Sequence, residues 1–262
     1  MKALLHTLLA TSAPFLAMVA PLNQAMFMDW GHVSVTKTVL IDTGTTWTTP
    51  SDFASLVSIE AIGAGGAGSY NTTSYYREGG GGGAYSITSI GTFAASTSYN
   101  IHIGVAGGTQ GTSSSPGTAD TWFNNAASTL FAQGGKTAAY SSLTYGGGAA
   151  ASCYPTTGAF NGGTGYGGLT PGYGGGAAGK HGAGANATSG GSGQGDNGFG
   201  GTAGGAGTEW SYAQKNSTVG AGTAGSGGGG SAAGGLYGGA GGCAAASGGA
   251  GANGCIFFTY RT

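Results

Sequence analysis

Residues able to carry chemistry are few and widely spaced in this chain of 262 residues. Its four His, at His6, His32, His102 and His181, form no H-E-x-x-H and no cluster with carboxylates, so metal-assisted or general acid–base machinery is not laid out along it. The eight acids are scattered, and the near pair of opposite sign is Arg77-Glu78. Cys153, Cys243 and Cys255 are an odd set without metal-ligand spacing, which speaks against a zinc site and allows at most one bridge within the chain. Gly63-Ala64-Gly65-Gly66-Ala67-Gly68 is formally a G-x-G-x-x-G after a predicted strand. A dinucleotide site needs a helix N-terminus directly afterwards, whereas Ser69-Tyr70-Asn71-Thr72-Thr73-Ser74 and then Gly79 to Gly83 follow here. Asn71, Asn186 and Asn216 each begin a glycosylation acceptor, a match that a Ser/Thr-rich chain yields freely. These patterns predict a non-enzymatic protein that takes no cofactor and no metal.

The elements that position these residues must be built from unusual material. Gly accounts for 62 residues and charged residues for 6%, against roughly a quarter charged in an average soluble chain. Seven basic against eight acidic residues leave a net charge of −1, so nucleic acid is not an expected partner. A hydrophobic content of 39% with 13 Tyr and 10 Phe argues against a disordered chain. Collagen is excluded by its need for proline, of which there are 6.

Residues 1–32 form an apolar N-terminal segment, and two readings of it stand. One is a secretory signal with a small-residue cleavage site near Ala25. The other is an anchor or assembly segment, in which Leu4, Leu5, Leu8, Leu9 and Ser12 trace a helical stripe. Pro14 and Pro21 leave no uninterrupted apolar run of about 20 residues to span a bilayer. From Val33 the period changes to two, and strands are predicted over 33–41, 45–49, 56–62, 84–90, 99–105, 121–124 and 129–132. The expectation is a mainly β protein: a small β-sandwich over 33–139 continuing into a bundle of polyglycine II helices over 140–262. Cys255 to Arg261 is read as a closing strand beside an N-terminal one, making one folded unit of the two parts.

The bundle is read from register. Gly195, Gly198, Gly201, Gly204 and Gly207 fall at successive third positions, as do Gly222, Gly225 and Gly228, then Gly235, Gly238 and Gly241, then Gly248, Gly251 and Gly254. Gly162, Gly165 and Gly168 do the same, followed by Gly176, Gly179 and Gly182. Three is the period of the polyproline II helix, which has no internal hydrogen bonds and must pair with neighbours. Double pairs such as Gly200-Gly201 and Gly241-Gly242 suit a central helix with more than one bare edge. The bulky residues between these runs are then turns: Tyr70, Tyr75, Tyr76 and Arg77; Tyr154 and Phe160; Lys180 and His181; Trp210, Tyr212 and Lys215; and Tyr237. Aromatic and small polar residues on loops borne by a rigid scaffold have the composition of a recognition surface.

Thr46-Trp47-Thr48-Thr49-Pro50, Val57 to Gly66, Gly79 to Tyr85, Ile103 to Gly108, Ala132 to Gly135 and Gly254 to Tyr260 together resemble the glycine-rich domain of many bacteriophage tail and fibre proteins. The resemblance implies a virion component. The rod-and-loop half is similar in type to the adhesins that cap long tail fibres of T-even-like phages. That likeness makes the loop residues above contacts for a host cell-surface receptor, protein or glycan; the apolar N-terminal segment is not part of the resemblance, and residues 1–32 are read separately as the attachment to other virion proteins. A membrane contact through the N-terminal segment and homo-oligomerisation stay open. The alternatives are a purely structural virion protein, a secreted or cell-surface protein without receptor binding, and an ice-binding polyglycine II protein. The Tyr/Trp loops and the β-rich first half speak against the last.

Overall fold

The computed structural model describes residues 34–70, 77–139, 144–168, 172–188, 228, 233–244 and 247–262. Its strands are β1 (Thr36–Ile41), β2 (Thr46–Thr48), β3 (Ser55–Ile62), β4 (Ser69–Tyr70), β5 (Arg77–Glu78), β6 (Tyr85–Thr88) and β7 (Ser98–His102). They continue with β8 (Thr121–Phe123), β9 (Leu130–Ala132), β10 (Thr144–Tyr145), β11 (Gly165–Gly168), β12 (Cys243–Ala244), β13 (Ser247–Gly248) and β14 (Cys255–Arg261). A single turn of 3-10 helix over Ala150–Ser152 interrupts them. Among the described residues the protein is mainly β, as its patterning predicts.

Two antiparallel sheets carry the period-two segments, in the orders β1-β14-β3-β6 and β2-β7-β8-β9. The C-terminal strand lies between β1 and β3, with Val39 opposite Phe258 and Ile59 opposite Phe258 on the other side. Alternation decides which side chains meet. Ile256, Phe258 and Tyr260 of β14 join Ile41, Ile59, Ala61, Ile101, Phe123, Leu130 and Ala132 in the core between the sheets. Cys255 and Phe257 point the other way, into a second cluster with Ile62, Tyr85, Ala177, Ala178 and Tyr237. Phe258 is the hub of the first core, with its ring 4.5 Å from Trp47, 5.7 Å from Phe123 and 5.9 Å from Phe93. Full burial of one such ring contributes roughly 1.5–3 kcal/mol.

The rest of the backbone is paired in another way. Along Gly79–Ala84, every N–H donates to a neighbouring segment, and each neighbour is met at every third residue. Gly79 and Gly82 donate to Tyr166 and Gly163; Gly80 and Gly83 to Gly241 and Gly238; Gly81 and Ala84 to Lys136 and Gln133, all at 2.8–3.1 Å. The carbonyls serve three further segments. Gly81 and Ala84 accept from Gly66 and Gly63, Gly80 and Gly83 accept from Gly175 and Ala178, and Gly82 accepts from Gly148. Gly79–Ala84 is therefore the centre of a hexagonal array of polyglycine II type, surrounded by six rods.

Lack of side chains is what permits this approach. A Cβ on Gly79 or Gly82 would lie under 3.0 Å from the carbonyls of Tyr173 or Gly176. On Gly80 or Gly83 it would strike Gly66 or Gly63, and on Gly81 it would strike Gly146. A rod with neighbours on all three edges needs an unbroken glycine run, and Gly79 to Gly83 is that run. Rods with fewer bare edges obey the expected period of three: Gly162 and Gly165 face Gly82 and Gly79, and Gly248, Gly251 and Gly254 face Gly68, Gly65 and Ile62. The rods at 63–68, 79–84 and 133–138 lie in the first part of the chain, so glycine pairing begins before residue 140. Of the predicted register, Gly228 and Gly241 lie in paired segments, whereas Gly235 and Gly238 span a turn in which Gly238 has a φ of +86°, so Gly235, Gly238 and Gly241 are not one rod edge; Gly195, Gly198, Gly201, Gly204, Gly207, Gly222 and Gly225 lie outside the described residues.

Candidate binding site

Topology sorts the loops onto two ends of the array. From Ile62 the chain runs outward along 63–68 to the β4–β5 pair and returns along 79–84 into β6. Residues 162–168 run outward to β11, 239–244 run outward to β12, and 248–254 return from β13 to β14. At the outer end, β10, β11, β5 and β4 pair as a small antiparallel sheet, and β12 with β13 as a hairpin beside it. At the inner end, against the sandwich, the turns are 149–161, 179–182 and 235–238.

The receptor-contact candidates divide between these ends. Tyr70 and Arg77 stand on the outer hairpin strands, directly opposite one another. Tyr75, Tyr76, Trp210, Tyr212 and Lys215 lie outside the described residues. At the inner end, Lys180 and His181 are exposed on a turn closed by Gly179 donating to Gly182 at 3.1 Å. Tyr154 is 38% exposed and held by two backbone hydrogen bonds to Phe131. Phe160 and Tyr237 are structural. Phe160 stacks on Tyr85 with ring centres 6.2 Å apart, and Tyr237 is 8% exposed in the second core. Its φ of +60° turns the chain so that the ring points inward, and burial raises the phenol's pKa beside Asp42, whose carboxylate accepts from it at 3.4 Å.

The outer end holds the denser chemistry. Glu78 and Cys243 are buried, the Cys243 thiol being pushed up by burial while the main chain at Glu78 and the charge of Arg77 act against that. Arg77 is half-buried, and its Nε, like Ser69 Oγ, is enclosed without a hydrogen-bond partner. Beside them Tyr166 and Tyr173 are joined by two backbone hydrogen bonds of 2.9 and 3.0 Å, and Gly172 pairs with Cys243 in the same manner. The half-buried Arg77 therefore stands on the strand paired with β11, which carries Tyr166, and Tyr173 is bridged to Tyr166. Sequence reasoning passed over Tyr166 and Tyr173. Their signal was the repeat Gly165-Tyr166-Gly167-Gly168 and Gly172-Tyr173-Gly174-Gly175.

Other sequence features resolve into architecture. In the G-x-G-x-x-G segment, Gly63 and Gly66 face Gln133 and Lys136, and Gly65 and Gly68 face Gly239 and Gly242. Ala64 and Ala67 occupy the third edge, beside Gly104 and Gly107, so the fingerprint is the register of a rod with two bare edges. Asn186, in one glycosylation acceptor, accepts the N–H of Thr164 at 2.8 Å; Asn161 and Asn253 accept from Ala150 and Ala106 at 2.7 and 2.9 Å. Amide side chains stand in for absent rods at the rim. Cys153, Cys243 and Cys255 are all buried, and none is joined to another by a disulfide. Among the described residues no group of His, Cys, Asp and Glu could hold a metal ion, and none of their helices is long and apolar enough to cross a membrane.

A sandwich whose sheet faces continue into a glycine rod array, with loops sorted onto two ends, defines a mainly β glycine-rich domain. The chain belongs to the glycine-rich domain family, whose model matches residues 40–261. No curated protein matches it.

Proposed function

We propose that the protein is a structural component of a phage virion, of the tail-fibre, tip or spike type, that binds a host cell-surface receptor through the loops at the outer end of its glycine rods. One observation carries the reading: β4 with β5, β10 with β11, and β12 with β13 finish at the same end of the array, so the loops there leave a platform whose backbone is already paired. A platform whose backbone is already paired loses less entropy on binding. Arg77, Tyr166 and Tyr173 are the described residues at the centre of that surface. A second reading, a glycine-rich virion or secreted surface protein without receptor binding, is favoured by the burial of Phe160 and Tyr237, which makes part of the aromatic content structural.

Mass spectrometry of purified particles from the natural source, with sequencing of the protein's N-terminus, tests the virion assignment. The chain is expected in particles; its recovery from particle-free supernatant alone overturns that assignment. For the adhesin role, Arg77→Ala joined to replacement of residues 71–76 by Gly and Ser is expected to lower particle adsorption at least tenfold with assembly unchanged. Unchanged adsorption leaves the structural reading.

A further inference from the structure

A different surface, on the sandwich itself, has the makings of a second site. In the β7–β8 pair, Ile101 opposite Phe123 faces the core and His102 opposite Trp122 faces outward. The two outward rings stack with centres 5.9 Å apart and planes 14° from parallel. They floor a groove of about 420 Å³ whose wall is Thr109, Pro116, Gly117 and Thr118, within the range of about 300–1,000 Å³ typical of small-ligand sites.

The wall is fixed before any ligand arrives. The buried Asp120 carboxylate accepts the N–H groups of Gly111, Gly117 and Gly134 at 2.7, 2.6 and 2.8 Å. Val105 donates to Thr118 and Ala119 to Thr109 across the loop. His102 Nδ1 lies 2.6 Å from the carbonyl oxygen of Asp120. A carbonyl only accepts, so Nδ1 carries the hydrogen and Nε2 is the nitrogen left for a ligand.

We infer that this groove is a binding site for a neutral saccharide. A sugar ring presents an apolar C–H face and a rim of hydroxyls, and the groove offers the matching pair: a flat indole with an imidazole beside it, and threonine hydroxyls along one wall. No acid, Lys or Arg lines it, so a charged ligand would shed water there without a counter-charge. A nucleotide would stack equally well but finds no cation for its phosphate. The inference goes beyond the receptor reading of the outer loops and does not depend on it.

Saturation-transfer NMR on the full chain, with methyl glycosides of glucose, galactose, mannose and N-acetylglucosamine and with adenosine as the nucleoside probe, tests the site. At least one glycoside is expected to bind through its ring C–H face, and Trp122→Ala to weaken it at least tenfold. Thr109→Arg fills the groove from an exposed position and leaves the sheet untouched; it is expected to abolish binding with an unchanged melting temperature. Ile90→Ser, at an 83% exposed position outside the groove, should bind as the wild type. Absence of transfer to every glycoside, binding that survives Thr109→Arg, or binding of adenosine alone overturns the inference. Loss of adsorption in the 71–76 replacement with glycoside binding intact separates the two sites.

Discussion

At the scale of single residues, burial sets the direction of the shift for the three thiols and for Asp120. Burial drives the Cys153 thiol to about 11 and the Cys255 and Cys243 thiols upward, and only thiolate reacts with alkylating reagents. Iodoacetamide at pH 8 should therefore label none of the three in the native protein and all of them after unfolding in guanidinium, read by intact mass. Asp120 is pushed upward by burial, with the N–H groups of Gly134, Gly117 and Gly111 and the charge of His102 pulling part of the way back. With its folded pKa above the unfolded value, the native state holds that proton to higher pH. Its stabilising contribution is full below the unfolded value and declines as pH rises through the folded one. The stability advantage of the wild type over Asp120→Asn should shrink as denaturant titrations move from pH 4 to pH 7. Truncating the hub ring, Phe258→Ala, should cost about 3–5 kcal/mol by the same titrations.

Elements differ in how plainly the chain spells them. The sandwich strands were legible because alternation is sustained: Val39 to Ile41, Leu56 to Ile62 and Cys255 to Tyr260 each put apolar residues on a core face. The closing strand was placed correctly because an edge otherwise left unpaired called for it. The central rod was harder to see. Its six residues show only two turns of a three-residue period, and Gly79 to Gly83 is so uniform that no register stands out. Tyr237 was misplaced for a related reason: surrounded by glycine it resembles a loop tip, and only the positive φ turns its ring into the core. Bare edges give the sharpest test at this scale. Gly82→Ala would set a methyl under 3.0 Å from the Gly176 carbonyl and should cost about 3 kcal/mol or more, at or beyond the top of the usual overpacking range. Gly146, with nothing within 4 Å of its absent Cβ, should accept alanine with a gain of about 0.4–1 kcal/mol. Thermal melts of the two variants check both.

For the whole molecule, the sandwich and the array are joined by shared strands. β3 runs into the 63–68 rod, the 79–84 rod into β6, β9 into 133–138, and 248–254 into β14. Pulling on the array therefore loads the sheet directly, and unfolding should be one cooperative transition by circular dichroism and by tryptophan fluorescence alike. Two separated transitions would mean that the parts are independent. The reversing course of the rods also fixes how such a protein changes size. A segment that leaves the sandwich has to come back before the closing strand can take its place between β1 and β3, so rods are gained or lost by twos. Family members of different length should differ by whole out-and-back excursions, and an odd insertion would strand the C-terminus at the wrong pole.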